Sequence, residues 1–118
     1  MKVIVKITSN FKKEVKPLLK RYKSLNTDLI NLEKELNINP TLGTSLGNNT
    51  YKIRLKITSK GKGKSSGARV ISYIETELLA HLESEGTETV VNLISIYDKS
   101  ETEIITDKEI RRLIANLK

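Results

Sequence analysis

The sequence predicts an α+β fold: a small, mainly antiparallel four-stranded sheet packed by an N-terminal helical hairpin and a C-terminal helix, in the order β-α-α-β-β-β-α. Three observations carry that prediction. Tyr51, Ile53, Leu55 and Ile57 alternate with Lys52, Arg54, Lys56 and Thr58, the period-two signature of a strand with one face in a core and the other in water. Phe11, Val15, Leu18, Leu19 and Tyr22, then Leu25, Leu29, Leu32 and Leu36, recur at helical spacing with few residues between the two sets, which requires an antiparallel hairpin. Thr106 and Glu109 have capping-box spacing, with Ile105 placed to staple onto Ile110, ahead of the stripe Ile110, Leu113, Ile114 and Leu117. The 118 residues fit one domain, 1–118, without internal repeats.

Taken in order, Lys2 to Thr8 sets Val3, Val5 and Ile7 against Lys2, Ile4 and Lys6, a short β-branched strand. Asn10 is the expected cap of the first helix, and Pro17 lies too deep for a first-turn proline, so a kink or a late start is expected there. Ser24 is the expected cap of the second helix, and Pro40 lies beyond its end. Asn39 to Asn49, rich in Asn, Gly and Thr, reads as a loop anchored only by Leu42 and Leu46. After the Tyr51 strand come the loop Ser59 to Gly67 and strands from about Ala68 to Glu75 and about Thr89 to Tyr97. The stretch between those last two either extends the hairpin or holds a helical turn, with the turn expected at Glu85-Gly86.

Charge is distributed unevenly along the chain. Residues 1 to 24 hold eight basic side chains against Glu14 alone, whereas Glu75 to Lys118 holds ten acids against five bases. Between Glu35 and Glu75 there is no Asp or Glu, while Lys52, Arg54, Lys56, Lys60, Lys62, Lys64 and Arg69 supply seven positive charges. A surface with no neutralising carboxylate attracts polyanions, and the strand pair around these residues is expected to grip an RNA backbone, with Lys60, Lys62 and Lys64 embracing phosphates from the loop. Cysteine is absent, which removes disulfides and thiolate metal sites. With neither a long apolar run nor a signal-like start, a soluble cytoplasmic protein with no membrane partner is expected.

Two phosphate-loop readings fail on residues. The first glycine of a Walker loop ending in Gly63-Lys64-Ser65 would fall at Thr58, and the third glycine of a dinucleotide fingerprint would fall at Ser66. His81, the only histidine, makes neither a triad nor a metal site by itself. No cofactor, metal or small-molecule ligand is expected. Chemistry left to Lys, Arg and Tyr suits one reaction, attack of an RNA 2′-hydroxyl on its own adjacent phosphate. The transition state gathers charge on the non-bridging oxygens, so preorganised cations stabilise it more than the ground state. A lysine crowded by other cations has its pKa lowered toward that of a general base.

The order of these features resembles the RelE/ParE superfamily of toxins from type II toxin-antitoxin systems, and within it the RelE- and HigB-like mRNA interferases. The resemblance rests on the strand and helical hairpin, Asn39-Pro40 and Leu46-Gly47, the strand Tyr51 to Lys56, Gly67-Ala68-Arg69-Val70, and Ile94 to Glu101. It implies a RelE-like fold and a ribosome-dependent, metal-independent endoribonuclease that cuts mRNA in the decoding site, leaving a 2′,3′-cyclic phosphate. It also implies a cognate antitoxin as partner, here expected to be acidic or amphipathic and to cover the basic face or displace the last helix. By position, Lys52 and Arg54 would serve as base and phosphate ligand. Arg69 would stabilise the scissile phosphate, Lys99 would act near the leaving group, and Lys56 would bind RNA. Where RelE proper carries a tyrosine at the start of its last helix, this chain has Ile105, and Tyr97 is the nearby substitute.

Two other readings use the same residues. A ParE-like toxin would bind DNA gyrase and cause DNA breaks while leaving message intact. A non-catalytic RNA-binding module would lose affinity in proportion to total charge and salt, and with only Tyr51 and Tyr73 in the basic hairpin its stacking platform is thin.

Overall fold

A computed structural model of the chain describes residues 2–60, 67–78, 87–101 and 104–117. Along them run β1 (Lys2–Ile7), α1 (Ser9–Arg21), α2 (Leu25–Ile38), β2 (Thr44–Gly47), β3 (Thr50–Leu55), a 3₁₀ turn (Thr58–Lys60), β4 (Ala68–Leu78), β5 (Thr87–Asp98) and α3 (Asp107–Ala115). The class is α+β, but the sheet is five-stranded and mixed, in the order β1-β5-β4-β3-β2.

Two features correct the four-stranded antiparallel expectation. β1 pairs parallel with β5, from Lys2 opposite Glu88 to Ile7 opposite Leu93. A parallel partner lies on the far side of a crossover, so local hairpin signals do not reveal it. β2 arises inside the stretch read as a loop, pairing Thr44 with Lys52 and Ser45 with Tyr51. Asn48 and Asn49, with φ of 51° and 63°, make the two-residue left-handed turn that joins β2 to β3. All four β2 residues are exposed, so no alternation of apolar residues announces the strand.

The helical hairpin covers one face of the sheet. Phe11, Val15 and Leu18 of α1 and Leu25, Leu32 and Leu36 of α2 pack on residues that include Ile53, Leu55, Val70 and Leu93. α3 covers part of the other face through Ile110 and Leu113, which meet Ile71, Ile94 and Tyr97, with Ile105 alongside. The expected helix stops and starts shift by a residue or two. Thr8, not Asn10, caps α1: its hydroxyl accepts from the Phe11 N–H at 3.2 Å and donates to the Leu93 carbonyl at 3.0 Å, tying the cap to β5. Pro17 stands inside α1 without ending it. Ser24 precedes α2 but makes no capping bond; its hydroxyl bonds Asp28 and Ser59 instead. Thr106 caps α3 as expected, accepting from the Glu109 N–H at 3.2 Å, while the Glu109 carboxylate closes onto Arg112.

β4 reaches Leu78 and β5 begins at Thr87, so the two ends of the undecided stretch belong to the hairpin; residues 79–86, with His81 and the expected turn at Glu85-Gly86, lie outside the described residues. Near the middle of β5 the register slips. Ile71 faces Ser95 and Ser72 faces Leu93, leaving Ile94 as the extra residue of a bulge. The bulge lets Leu93 and Ile96 both face the helical hairpin while Ile94 and Tyr97 both face α3. Past Leu93, where β1 has ended, a side chain takes the place of the missing strand. Glu14 of α1 accepts from the Ser95 hydroxyl at 2.8 Å and from the Ile96 N–H at 3.3 Å.

Candidate nucleic-acid interface

The core fixes which side chains of β3 reach solvent. Ile53 and Leu55 are held under the helical hairpin, so Lys52 and Arg54, one residue out of phase, project from the opposite face of the sheet. Register then aligns them with the neighbouring strands. Arg54 faces Arg69 on β4, Arg69 faces Tyr97 on β5, and Lys52 faces Ile71. A row of Arg54, Arg69 and Tyr97 therefore crosses three strands, with Lys52 beside it.

The Arg54–Arg69 pair is of the closer kind. A Cβ built on Gly43 would lie 2.5 Å from the Lys52 carbonyl oxygen, so the backbone polar groups of Lys52 point toward β2. By alternation those of Arg54 also point away from β4, which makes Arg54 and Arg69 a non-hydrogen-bonded pair, the arrangement that brings side chains nearest. Like charges directly opposite one another destabilise a sheet. Arg69 is also only 5% exposed, and its guanidinium donates to the Ala68 carbonyl at 3.2 Å. Burial lowers its pKa and the charge of Arg54 lowers it further, although arginine stays protonated at any physiological pH. Burial likewise raises the pKa of Tyr97, against the opposing pull of Arg69 and of the Ile105 N–H.

The arrangement can bind anions at its open side. The ion pairs among the described residues are Arg21 with Asp98 and Glu101, Lys60 with Asp98, and Arg112 with Glu109; Lys52, Arg54 and Lys56 take part in none of them. These three line a cleft of about 500 Å³ between the outer edge of β3 and α2, with Asn31, Glu35 and Gly43 among its other walls. Arg54 lies past the last residue that β2 pairs.

The remaining expected site residues divide. Lys99 extends the β5 register by one residue, its N–H donating to the Gly67 carbonyl at 3.0 Å, next to the Arg69–Tyr97 end of the row. Lys60 is a correction: its ammonium lies 2.9 Å from the Asp98 carboxylate and 5.4 Å from the centroid of the Tyr22 ring, on the helical-hairpin side of the sheet, away from Arg54. Asp98 is buried and has the stronger claim on that charge than a diffusing phosphate. Lys62 and Lys64 lie outside the described residues.

Sequence reading missed Asp98 altogether. Its carboxylate accepts from the Tyr22 hydroxyl at 2.5 Å, from Lys60 and from Ser100, and the Arg21 guanidinium is 3.7 Å away. Burial alone would raise its pKa, but the bonds from Tyr22, Lys60 and Ser100 outweigh it and hold the carboxyl well below the usual range. An acid at the end of a strand gives no local signal of partners that lie so far away in sequence.

No protein-family model matches the chain, and no curated protein matches it. No helix among the described residues is long and apolar enough to cross a membrane.

Proposed function

We propose that the chain is the toxin of a type II toxin-antitoxin pair and acts as a metal-independent endoribonuclease on ribosome-bound mRNA. The observation that carries this reading is the Arg54–Arg69–Tyr97 row with Lys52 beside it. Two guanidiniums are set against each other, one of them buried, an arrangement that by itself costs a sheet stability. An anion between the two arginines would relieve the repulsion, which supports reading the row as a site for a phosphate.

In this reading the scissile phosphate sits over Arg54 and Arg69, which neutralise the charge that builds on its non-bridging oxygens. Lys52, in its neutral form, takes the proton of the 2′-hydroxyl as that oxygen bonds to phosphorus. The bond to the 5′-oxygen breaks, the departing oxygen takes a proton from Lys99 or Tyr97, and a 2′,3′-cyclic phosphate remains. The cleft lined by Lys52, Arg54 and Lys56 receives the flanking backbone.

Inducible expression followed by primer-extension mapping of cuts on translated mRNA tests the proposal. Wild type is expected to arrest growth and cut message. Arg54→Ala, at an exposed position, is expected to keep its circular-dichroism spectrum and lose about 10²–10³-fold in cleavage rate. Cuts that survive both Arg54→Ala and Arg69→Lys, or DNA breaks with intact message, would overturn it.

A further inference from the structure

At the β1 edge of the sheet, the opposite edge from the cleft beside β3, a second cleft of about 520 Å³ opens between the second half of α3 and the corner where β1 passes into α1. Cations from three elements line it, Lys6 of β1, Lys13 of α1 and Arg112 of α3, and none of the described residues around it is acidic. Arg112 is shared with Glu109, whereas Lys6 and Lys13 make no ion pair among the described residues. The start of α1 also lines the cleft, through Ser9 and Asn10. Thr8 takes the Phe11 N–H with its hydroxyl and the Lys12 N–H with its carbonyl, so the N–H groups of Ser9 and Asn10 are the first-turn donors that remain. No acid stands in that turn to neutralise the positive end of the helix.

A helix start flanked by lysines would attract any anion, but Asn92 asks for more. Its side chain lines the same cleft although the residue is only 5% exposed, and its amide nitrogen donates to the Tyr73 carbonyl at 3.1 Å and to the Glu75 carboxylate at 2.8 Å. Both partners are acceptors, which fixes the orientation of the amide, and both belong to β4, which turns the amide oxygen away from that strand. No donor among the described residues reaches this oxygen. Ser72 Oγ is the one buried side-chain nitrogen or oxygen among the described residues that lacks a partner, so the Asn92 oxygen is not shut in; it opens into the cleft.

We infer that this cleft binds a small phosphate monoester that also carries hydroxyl groups. The phosphate, with its two charges and three terminal oxygens, takes the first-turn N–H groups of α1 together with Lys6 and Lys13. A hydroxyl of the same molecule donates to the Asn92 oxygen, an acceptor that an anion alone would avoid. The carbon skeleton lies against Ile7, Leu113 and Leu117, the apolar part of the wall. Because the walls come from β1, α1, β5 and α3, a bound ligand ties α3 to the sheet. The inference does not rest on the nuclease reading and holds whether or not the cationic row cuts RNA.

The test uses the full chain, isotope-labelled for amide spectra and titrated with ribose 5-phosphate, methyl phosphate and ribose. Ribose 5-phosphate is expected to shift the amides of Ser9, Asn10 and the Asn92 side chain, to slow hydrogen exchange in Asp107–Ala115, and to bind more weakly as salt is added. Lys6→Ala and Lys13→Ala, both at exposed positions, are each expected to lose about tenfold in affinity while unfolding as wild type does, and methyl phosphate, which has no hydroxyl, to bind about tenfold more weakly than ribose 5-phosphate. Ribose alone is expected to leave the spectrum unchanged. No binding, methyl phosphate binding as tightly as ribose 5-phosphate, shifts centred on Lys52 and Arg54, or affinity unchanged in both variants would overturn the inference. So would a single-stranded RNA oligonucleotide that displaces ribose 5-phosphate and is held more tightly at the same amides through Lys6 and Lys13, which would make the cleft a contact for RNA backbone.

Discussion

Asp98 ends β5 with its side chain 1% exposed, and Tyr22, Lys60 and Ser100 all donate to it. Because its folded-state pKa is depressed, it contributes stability that is complete above the ordinary carboxylate range and lost as pH falls toward the folded-state value. Denaturant unfolding at a series of pH values should therefore show stability declining below about pH 5. Asp98→Asn should remove about 2 kcal/mol at pH 7 and leave a shallower acid slope. Arg54 behaves oppositely. Relieving its repulsion with Arg69, as Arg54→Ala does, should raise stability by about 0.2–1 kcal/mol at low salt while cleavage falls, a gain that shrinks as salt is added. The candidate site was partly legible at this scale. The alternation in β3 put Lys52 and Arg54 on one face, and the missing acids between Glu35 and Glu75 marked the region. Lys60 was misread because charge along a sequence does not say which carboxylate will fold against it.

Among the elements, β2 depends on Gly43, whose φ of 103° and closeness to the Lys52 carbonyl leave no room for a Cβ. Gly43→Ala should lower the unfolding free energy by about 1–3 kcal/mol and loosen the β2–β3 pairing, read as faster exchange of the amides that pair there. α3 is held by a different device. Thr106→Ala should cost about 1 kcal/mol and speed exchange in Asp107–Ala115 before the β4–β5 core is affected. The helical hairpin, the capped last helix and β3 to β5 follow from periodicity and caps written locally. The parallel pairing of β1 and the bulge at Ile94 do not, because each depends on a strand distant in sequence or on a slip that reverses face parity. Tyr97 shows the consequence: its place beside Arg69 becomes readable only once the β4–β5 register is known.

Across the whole molecule, Lys52, Arg54 and Lys56 carry positive charge where single-stranded RNA would lie under the proposed function. If Lys52, Arg54 and Lys56 each meet one phosphate, the affinity for an RNA oligonucleotide should fall with salt at a log–log slope of about −2, and Lys56→Ala should make that slope shallower by about 0.7. Titrations at several salt concentrations measure both values. The order of the strands has a further result for biosynthesis. β1 is made well before β5, the strand partner it has among the described residues. Until β5 emerges, β1 has no ladder to join, Thr8 has no carbonyl to hold, and the arginines of β3 and β4 have no Tyr97 beside them. The sheet closes and the cationic row is completed only once β5 has been made.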